Sequence, residues 1–191
     1  MKKLWILLFM LLPAAAWAGN WTLDGGGSDI NFVSVKKGTV AEVHHFTKLT
    51  GSVKGENATV AIDLTSVETG IGIRNERMKS MLFEVARFAS ATITADLSTI
   101  DFHALKAGES LSTAVPLTLE LHGVSKDFSV QVRVTALAGD KLLVTSTEPV
   151  IVKASDFGLV GGVEALREVA KLSSIAQAVP VSFHLQFIRV K

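Results

Sequence analysis

Residues 117–134 read LTLELHGVSKDFSVQVRV, and the pattern in this stretch decides the fold. Leu117, Leu119 and Leu121 alternate with polar residues, and the polar stretch His122–Asp127 follows them. Successive side chains of a β-strand point to opposite faces, so such a run has one apolar and one wet face. The stretch therefore predicts an antiparallel hairpin that curls around an apolar interior, with its turn at His122–Asp127. The apolar residues of the second run are Phe128, Val130, Val132 and Val134.

The same alternation recurs along the chain and predicts about eight strands. Two stretches show helical spacing instead, Ile73–Val85 and Gly162–Leu172. The long strand 39–54 is expected to bend near Phe46–Leu49, where the alternation slips. This is an all-β chain with minor α content, and both a sandwich and a closed barrel fit it. The pattern marks nine strand segments for these roughly eight strands, namely 21–24, 28–36, 39–54, 60–64, 91–97, 111–122, 128–137, 142–153 and 181–187.

The chain begins with the features of a secretory signal peptide. Two lysines precede the apolar run Leu4–Leu12, and Ala16–Ala18 forms an A-x-A cleavage site. The run is short for a bilayer span, so we expect cleavage next to Gly19 and no stable membrane insertion afterwards. Residues 1–18 are thus predicted to be a Sec-type signal peptide, and residues 19–191 one domain that is exported to a bacterial periplasm.

Composition excludes several classes of protein. The chain has no cysteine, so disulfides, thiol catalysis and cysteine metal sites are absent. Of the 19 Lys and Arg residues, two lie in the signal peptide. The remaining 17 positive residues and the 18 Asp and Glu residues give a formal net charge of −1. Such a balance gives no reason to expect a nucleic-acid partner.

No arrangement of residues predicts catalysis. His44 and His45 are adjacent, so on a strand they point to opposite faces and cannot share a metal ion. No G-x-S-x-G elbow, P-loop or dinucleotide fingerprint is present. The sequence therefore predicts a protein that is not an enzyme, with no metal site and no catalytic cofactor.

The first predicted helix carries charged and apolar residues that each allow two interpretations. Arg74, Arg77 and Lys79 are expected to form a solvated face, or one of them meets the polar end of a ligand at the barrel mouth. The apolar stripe packs into the core or forms the lip of a binding site, for which methionine's adaptable shape is suited. Small residues among the inward positions, Ala91, Ala95, Ala136 and Ser34, favour free volume inside the sheet.

Several motifs, taken in order, resemble the YceI-like family. Leu119–Lys126 is similar to its L-x-L-H-G-V-T-K hairpin, and Ser155–Leu159 to its S-D-F-G-L segment. Together with weaker matches, these motifs cover most of the chain after the signal peptide. The other matches are Trp21–Asp24 (Y-x-I-D), Ser28–Phe32 (S-x-I-x-F), Phe46–Gly51 (F-x-x-F-x-G), Ile62–Gly70 (I-D … S-I-D-T-G) and Arg77–Phe83 (R-D-x-H-L-R-S-x-x-F-F).

The resemblance implies a lipocalin-like, eight-stranded antiparallel barrel with an apolar tunnel and two short helical insertions. It also implies a periplasmic or secreted protein that holds a polyisoprenoid, an isoprenoid quinone or a fatty-acid-like molecule, and it allows a homodimer. The chain departs from the family at polar positions near the expected head group of the ligand. Gly27 and Lys36 stand where the family has histidines, His44 lies near a replaced glycine, and the helix lacks its histidine at Lys79 or Ser80.

We therefore expect non-enzymatic binding, transport or sequestration of a long-chain amphiphile. The alternative is a stress-related structural or interaction barrel, filled by its own side chains, with no stoichiometric ligand. Strand parity, the helix stripe and the resemblance together predict the ligand-binding residues. These are Ile30, Phe32, Phe46, Leu49, Ile62, Met78, Met81, Leu82, Leu119, Leu121, Val130, Val132, Phe157, Phe183 and Leu185.

Overall fold

Eight antiparallel strands close into a barrel in the computed structural model, which describes residues 20–190. This confirms the all-β, lipocalin-like barrel and excludes the sandwich. The predicted signal peptide, residues 1–18, lies outside the described residues. The strand segments are β1 Trp21–Leu23, β2 Asp29–Lys36, β3 Val40–Phe46, β4 Leu49–Lys54, β5 Asn57–Asp63, β6 Val67–Glu68, β7 Ser90–Asp96, β8 Ser110–Leu121, β9 Val124–Leu137, β10 Lys141–Ser146, β11 Val150–Lys153 and β12 Ala178–Arg189.

Four of the eight strands are broken into two segments. β1 and β2 flank a 3-10 turn at Gly25–Gly27, and β5 and β6 flank another at Leu64–Ser66. β3 and β4 form the predicted strand 39–54, which is interrupted at Thr47 and Lys48, where the bend was expected. β10 and β11 form the seventh strand. Every strand pairs with its neighbours in chain order, and both segments of the first strand, β1 and β2, pair with β12 to close the ring.

The hairpin of residues 117–134 is present, but its turn is shorter than predicted. β8 pairs with β9 up to Leu121 and Val124, so only His122 and Gly123 form the turn. Their φ angles of 54° and 75° are both positive, as a type I′ turn requires. The prediction of a turn at His122–Asp127 is wrong because the polar residues after Gly123 continue the strand.

Both helical insertions lie at one end of the barrel, the helical end. There β6 pairs only with β3, and β11 pairs only with β12, so the sheet is open. Helix α1, Gly72–Arg77, follows β6 and continues as a π-helical turn at Met78–Leu82. Helix α2, Val160–Val169, follows β11 after a 3-10 turn at Ala154–Phe157.

Backbone geometry explains why the helices differ from the predicted bounds of 73–85 and 162–172. Glu84 has a φ of 47°, and this left-handed residue ends the first helical stretch before Val85. Lys171 has a φ of 52° and ends the second stretch in the same way. None of the helices within residues 20–190 is long and apolar enough to cross a membrane.

The opposite end of the barrel is filled by the irregular segment 97–109, which joins β7 to β8. Ile100 and Phe102 are its buried anchors. Backbone hydrogen bonds tie the segment to the rim, from Leu97 N to Glu56 O (2.7 Å) and from Gly108 N to Ala136 O (2.8 Å). We call this the loop end.

Helix α2 packs closely against the π-helical turn, because Gly162 has no side chain. A Cβ atom at Gly162 would lie 2.7 Å from the Met81 carbonyl oxygen and 2.9 Å from the Leu82 Cα. Both are backbone atoms of the π-helical turn, so the helical end has little freedom to accommodate an added methyl group there.

Gly162→Ala is therefore expected to lower the free energy of unfolding by about 1–3 kcal/mol, the usual cost of overpacking. Gly161→Ala is the matched control, since nothing lies within 4 Å of its added Cβ. That substitution should leave stability unchanged or raise it by up to about 1 kcal/mol through helix propensity. Chemical denaturation measures both, and equal effects would contradict the close packing.

Candidate functional site

The barrel interior contains two adjoining cavities. The larger has a volume of about 180 Å³ and lies toward the helical end; the smaller, of about 110 Å³, lies toward the loop end. We call them the helix-side and loop-side chambers. Of the described residues, none that borders either chamber is polar. The two chambers meet at a waist of four residues that border both, Ile30, Ile93, Leu117 and Phe183.

The helical insertions form the roof of the helix-side chamber. Met78, Leu82 and Phe83 come from the first insertion, and Leu159 and Val163 from the second. The barrel wall supplies the remaining residues. These are Ile30, Phe32, Phe46, Ile62, Leu64, Ala91, Ile93, Leu117, Leu119, Leu121, Phe128, Val130, Val150, Val152, Ala154, Val179, Val181 and Phe183.

The loop end forms the floor of the loop-side chamber. Leu97, Ile100 and Phe102 belong to segment 97–109, and the strands supply the wall. The wall residues are Ile30, Val53, Ala58, Val60, Ile93, Ala95, Leu117, Val115, Val132, Val134, Leu142, Val144, Phe183, Leu185 and Phe187.

Twelve of the fifteen residues predicted from the sequence border a chamber. Strand parity selected most of them, because inward positions of a closed barrel are the alternate ones. They are Ile30, Phe32, Phe46, Ile62, Met78, Leu82, Leu119, Leu121, Val130, Val132, Phe183 and Leu185.

The other three predicted residues lie away from the chambers. Leu49 is buried opposite Ile62 without bordering the space. Phe157 is fully buried one layer behind the wall, where its ring stacks on Phe128 at 6.5 Å. Met81 is only partly buried on the π-helical turn.

The π-helical turn explains why Phe83 borders the chamber and Met81 does not. The Phe83 N–H donates to the Met78 carbonyl, a bond that spans five residues instead of four. This spacing brings Phe83 onto the face of Met78, whereas ordinary helical spacing predicts Met81 close to that face.

Sequence reasoning missed other wall residues for two different reasons. Val150, Val152, Val179 and Val181 alternate along β11 and β12, so strand parity could have identified them. The residues of segment 97–109 follow no periodic pattern, and no sequence signal marks them as the floor of a chamber.

A polar cluster adjoins the helix-side chamber. The His44 side chain is only 2% exposed, and its ring meets the edge of Phe32 with the ring centroids 5.2 Å apart. His44 Nε2 lies 2.9 Å from Ser34 Oγ. Burial, followed by the nearby Arg74 guanidinium, lowers the pKa of His44, so the ring is neutral at neutral pH.

Glu42 holds two cations beside this histidine. Its Oε2 atom lies 2.7 Å from Lys36 Nζ and 2.8 Å from an Arg74 guanidinium nitrogen. The Lys36 hydrogen bond, together with the charges of both cations, lowers the pKa of the Glu42 carboxyl. Arg74, one of the cations predicted on the first helix, thus contacts the inner face of the β2–β3 hairpin through Glu42.

The arrangement of groups is typical of binding rather than of chemistry on a substrate. The chambers present only aliphatic and aromatic carbon, with methionine sulfur, to whatever they hold. Within residues 20–190, no three His, Asp or Glu side chains gather as metal ligands.

Comparison with known proteins identifies the family. The model of the YceI-like domain family matches residues 21–187. The chain belongs to the YceI-like family. The match spans all eight strands, both helical insertions and the residues that border both chambers of this YceI-like domain.

Solved structures show the same fold. A polyisoprenoid binding domain from Saccharophagus degradans, implicated in plant cell wall breakdown, is 38% identical, with a TM-score of 0.87. That match covers 89% of this chain and 98% of the other. BcnA from Burkholderia cenocepacia is 22% identical over 86% and 98% of the two chains, with a TM-score of 0.67. No curated protein matches the chain significantly.

A more distant structure extends the comparison. The YCEI protein of Campylobacter jejuni is 16% identical over 78% of this chain and 84% of the other, with a TM-score of 0.56. At this level of identity the likeness shows the fold alone.

The buried His44 predicts a pH dependence of stability. Its pKa is lowered in the folded protein from an ordinary value of 6.5, so the unfolded chain takes up the proton first as the pH falls. The free energy of unfolding should therefore decrease from pH 7.5 to pH 5.5, and less steeply in His44→Gln. Chemical denaturation at both values measures the slope.

His45→Gln is the matched control, because the His45 side chain points to the outer face of β3, opposite to His44. It should keep the slope of the unaltered protein. A His44→Gln variant with the full slope would contradict the role of the buried imidazole.

Proposed function

We propose that this YceI-like protein is a non-enzymatic carrier that binds or sequesters a long-chain amphiphile in the periplasm. The ligand class we propose is a polyisoprenoid or an isoprenoid quinone. The observation that carries the proposal is the pair of wholly apolar chambers that meet inside one barrel. Each methylene moved from water into such a space contributes about 0.8 kcal/mol, so an isoprenoid chain needs few polar contacts.

The chamber volumes bear on how a chain would lie. An apolar cavity of about 150 Å³ holds one benzene-sized molecule. The helix-side chamber, at about 180 Å³, therefore accommodates a short segment of chain, and the loop-side chamber less. A long chain that occupied both chambers would pass the waist, which Phe183 and Leu117 help to line.

The relative from Saccharophagus degradans supports the ligand class, since it is described as a polyisoprenoid binding domain. Residues 1–18 support export, because their pattern is that of a signal peptide. The apolar walls support a role without catalysis, since no nucleophile, acid or base borders either chamber among the described residues.

The direct test is to identify what the protein carries. The full chain is exported from a bacterial host, purified without detergent and extracted with organic solvent, and the extract is analysed by mass spectrometry. We expect a polyprenyl or quinone species near one equivalent. An empty extract, combined with no uptake of added polyprenyl alcohol or isoprenoid quinone, would favour the structural barrel without ligand.

A substitution that fills the helix-side chamber should reduce binding without unfolding the barrel. Ala91 borders this chamber opposite Ile62 and is 2% exposed. Ala91→Leu adds three carbon atoms to the space, so affinity for a polyprenyl alcohol should fall at least tenfold, about 1.4 kcal/mol. Thermal stability should be unchanged or higher, since added carbon fills an apolar space.

Ala61→Leu provides the control. Ala61 pairs with Thr92 on the opposite face of the same strands, outside the barrel. Its substitution should leave the affinity for polyprenyl alcohol unchanged when calorimetric titration is used to measure both variants. Equal affinities for both variants and the unaltered protein would exclude the helix-side chamber as the binding site.

A further inference from the structure

One face of the β2–β3 hairpin changes from apolar to polar along its length. Phe46 and Phe32 border the helix-side chamber on this inner face. His44 pairs with Phe32, and the next inward pair is Ser34 with Glu42. At about 3.3 Å per residue, Ser34 lies roughly 7 Å beyond Phe32, toward the hairpin tip.

The polar part of this face forms a cluster with a net positive charge. Glu42 supplies one negative charge to two cations, Lys36 and Arg74. Arg74 is positioned by a second bond, in which its other terminal nitrogen donates to the Thr69 carbonyl. Since His44 is neutral, the cluster carries about one uncompensated positive charge.

Two buried nitrogen atoms of the cluster lack partners. His44 Nδ1 and Arg74 Nε are both shielded from solvent, and neither has a hydrogen-bond partner among residues 20–190. A guanidinium Nε–H is a donor only, so its natural partner is an oxygen acceptor. A buried donor left unpaired is costly, so an oxygen acceptor placed beside Arg74 Nε would lower that cost.

We propose that Ser34, Lys36, Glu42, His44 and Arg74 form a head-group site for an acidic amphiphile, one that ends in a phosphate or carboxylate. Its chain would lie in the helix-side chamber, so the inference rests on the proposed function and specifies the ligand further. An anionic head offers oxygen acceptors to Arg74 Nε and balances the positive charge of the cluster. A neutral alcohol or quinone carbonyl offers an acceptor but leaves that charge uncompensated.

The test compares probes that share one chain. Calorimetric titration of the purified full-length protein uses farnesyl monophosphate, farnesol and inorganic phosphate. We expect farnesyl monophosphate to bind at least tenfold more tightly than farnesol. Inorganic phosphate should not compete at millimolar concentration, because it buries no apolar chain.

Arg74→Gln should bring the ratio of the two affinities close to one. The matched control is Arg77→Gln, which removes the same charge three residues further along α1 and outside the cluster. The control should keep the ratio of the unaltered protein, which separates a specific contact from a general effect of charge.

Glu42→Gln is expected to change the affinity in the opposite direction to Arg74→Gln. Removal of the internal anion raises the charge of the cluster, so farnesyl monophosphate should bind about threefold more tightly or better. A gain in affinity cannot result from misfolding, so this variant decides the question if Arg74→Gln proves unstable by circular dichroism.

The outcomes separate the two proposals. Farnesol binding as tightly as farnesyl monophosphate would overturn the head-group site and leave the carrier function intact. Three other results would also overturn the site. The preference for farnesyl monophosphate over farnesol could fall equally in Arg74→Gln and Arg77→Gln, the affinity of Glu42→Gln for farnesyl monophosphate could fail to rise, or inorganic phosphate could compete. Failure of both farnesyl probes to bind would overturn the head-group site and the carrier function together.

Discussion

The antiparallel pairing of β12 with both segments of the first strand, β1 and β2, is the interaction on which the rest of the structure depends, because it joins the first strand of the meander to the last. Trp21 pairs with Arg189, whose guanidinium lies over the indole ring at 4.7 Å, and Leu23 pairs with Phe187. Once the ring is closed, every alternate side chain must point inward, and the size of those side chains decides whether the interior is solid or hollow. The two chambers lie where small residues such as Ala91 and Ala95 take inward positions.

Closure is incomplete at the helical end, and the gap there has a functional consequence. Where β6 and β11 each lose a neighbour, the two helical insertions replace the missing wall and bring Arg74 over the inner face of the β2–β3 hairpin. A fully paired barrel would leave no room for a charged side chain next to an apolar chamber. The open sheet therefore permits a polar cluster and an apolar wall to meet within one hairpin.

Period-two alternation predicted the strands and their inward faces, because burial in a closed sheet follows parity. It fitted a sandwich as well as a barrel, and the resemblance to the YceI-like family favoured the barrel. The predicted residues account for about a third of those that border the chambers. Three features lay beyond it. The residues after Gly123 resemble a longer turn in sequence, but His122 and Gly123 alone form the turn, and the strand pairing resumes at Val124. The π-helical turn shifts the inward face from Met81 to Phe83 through one longer hydrogen bond. The contact between Glu42 and Arg74 joins residues 32 positions apart, and no local pattern encodes it.

The apolar chambers and the polar cluster would contribute to binding in different ways, because burial and polar contacts differ in their dependence on direction. Burial of apolar carbon is non-directional, so in the proposed carrier the chamber walls would supply affinity for any chain of suitable width and would discriminate poorly between head groups. Charged and hydrogen-bonding groups act in the opposite way, since a wrong partner leaves them unpaired in a poorly solvated place. Two cations share one carboxylate in the cluster, and Arg74 Nε has no hydrogen-bond partner among residues 20–190, so the proposed head-group site has room for an acceptor from a ligand. Selectivity in the proposed carrier would then rest on very few atoms, because apolar walls distinguish poorly between chains of similar width.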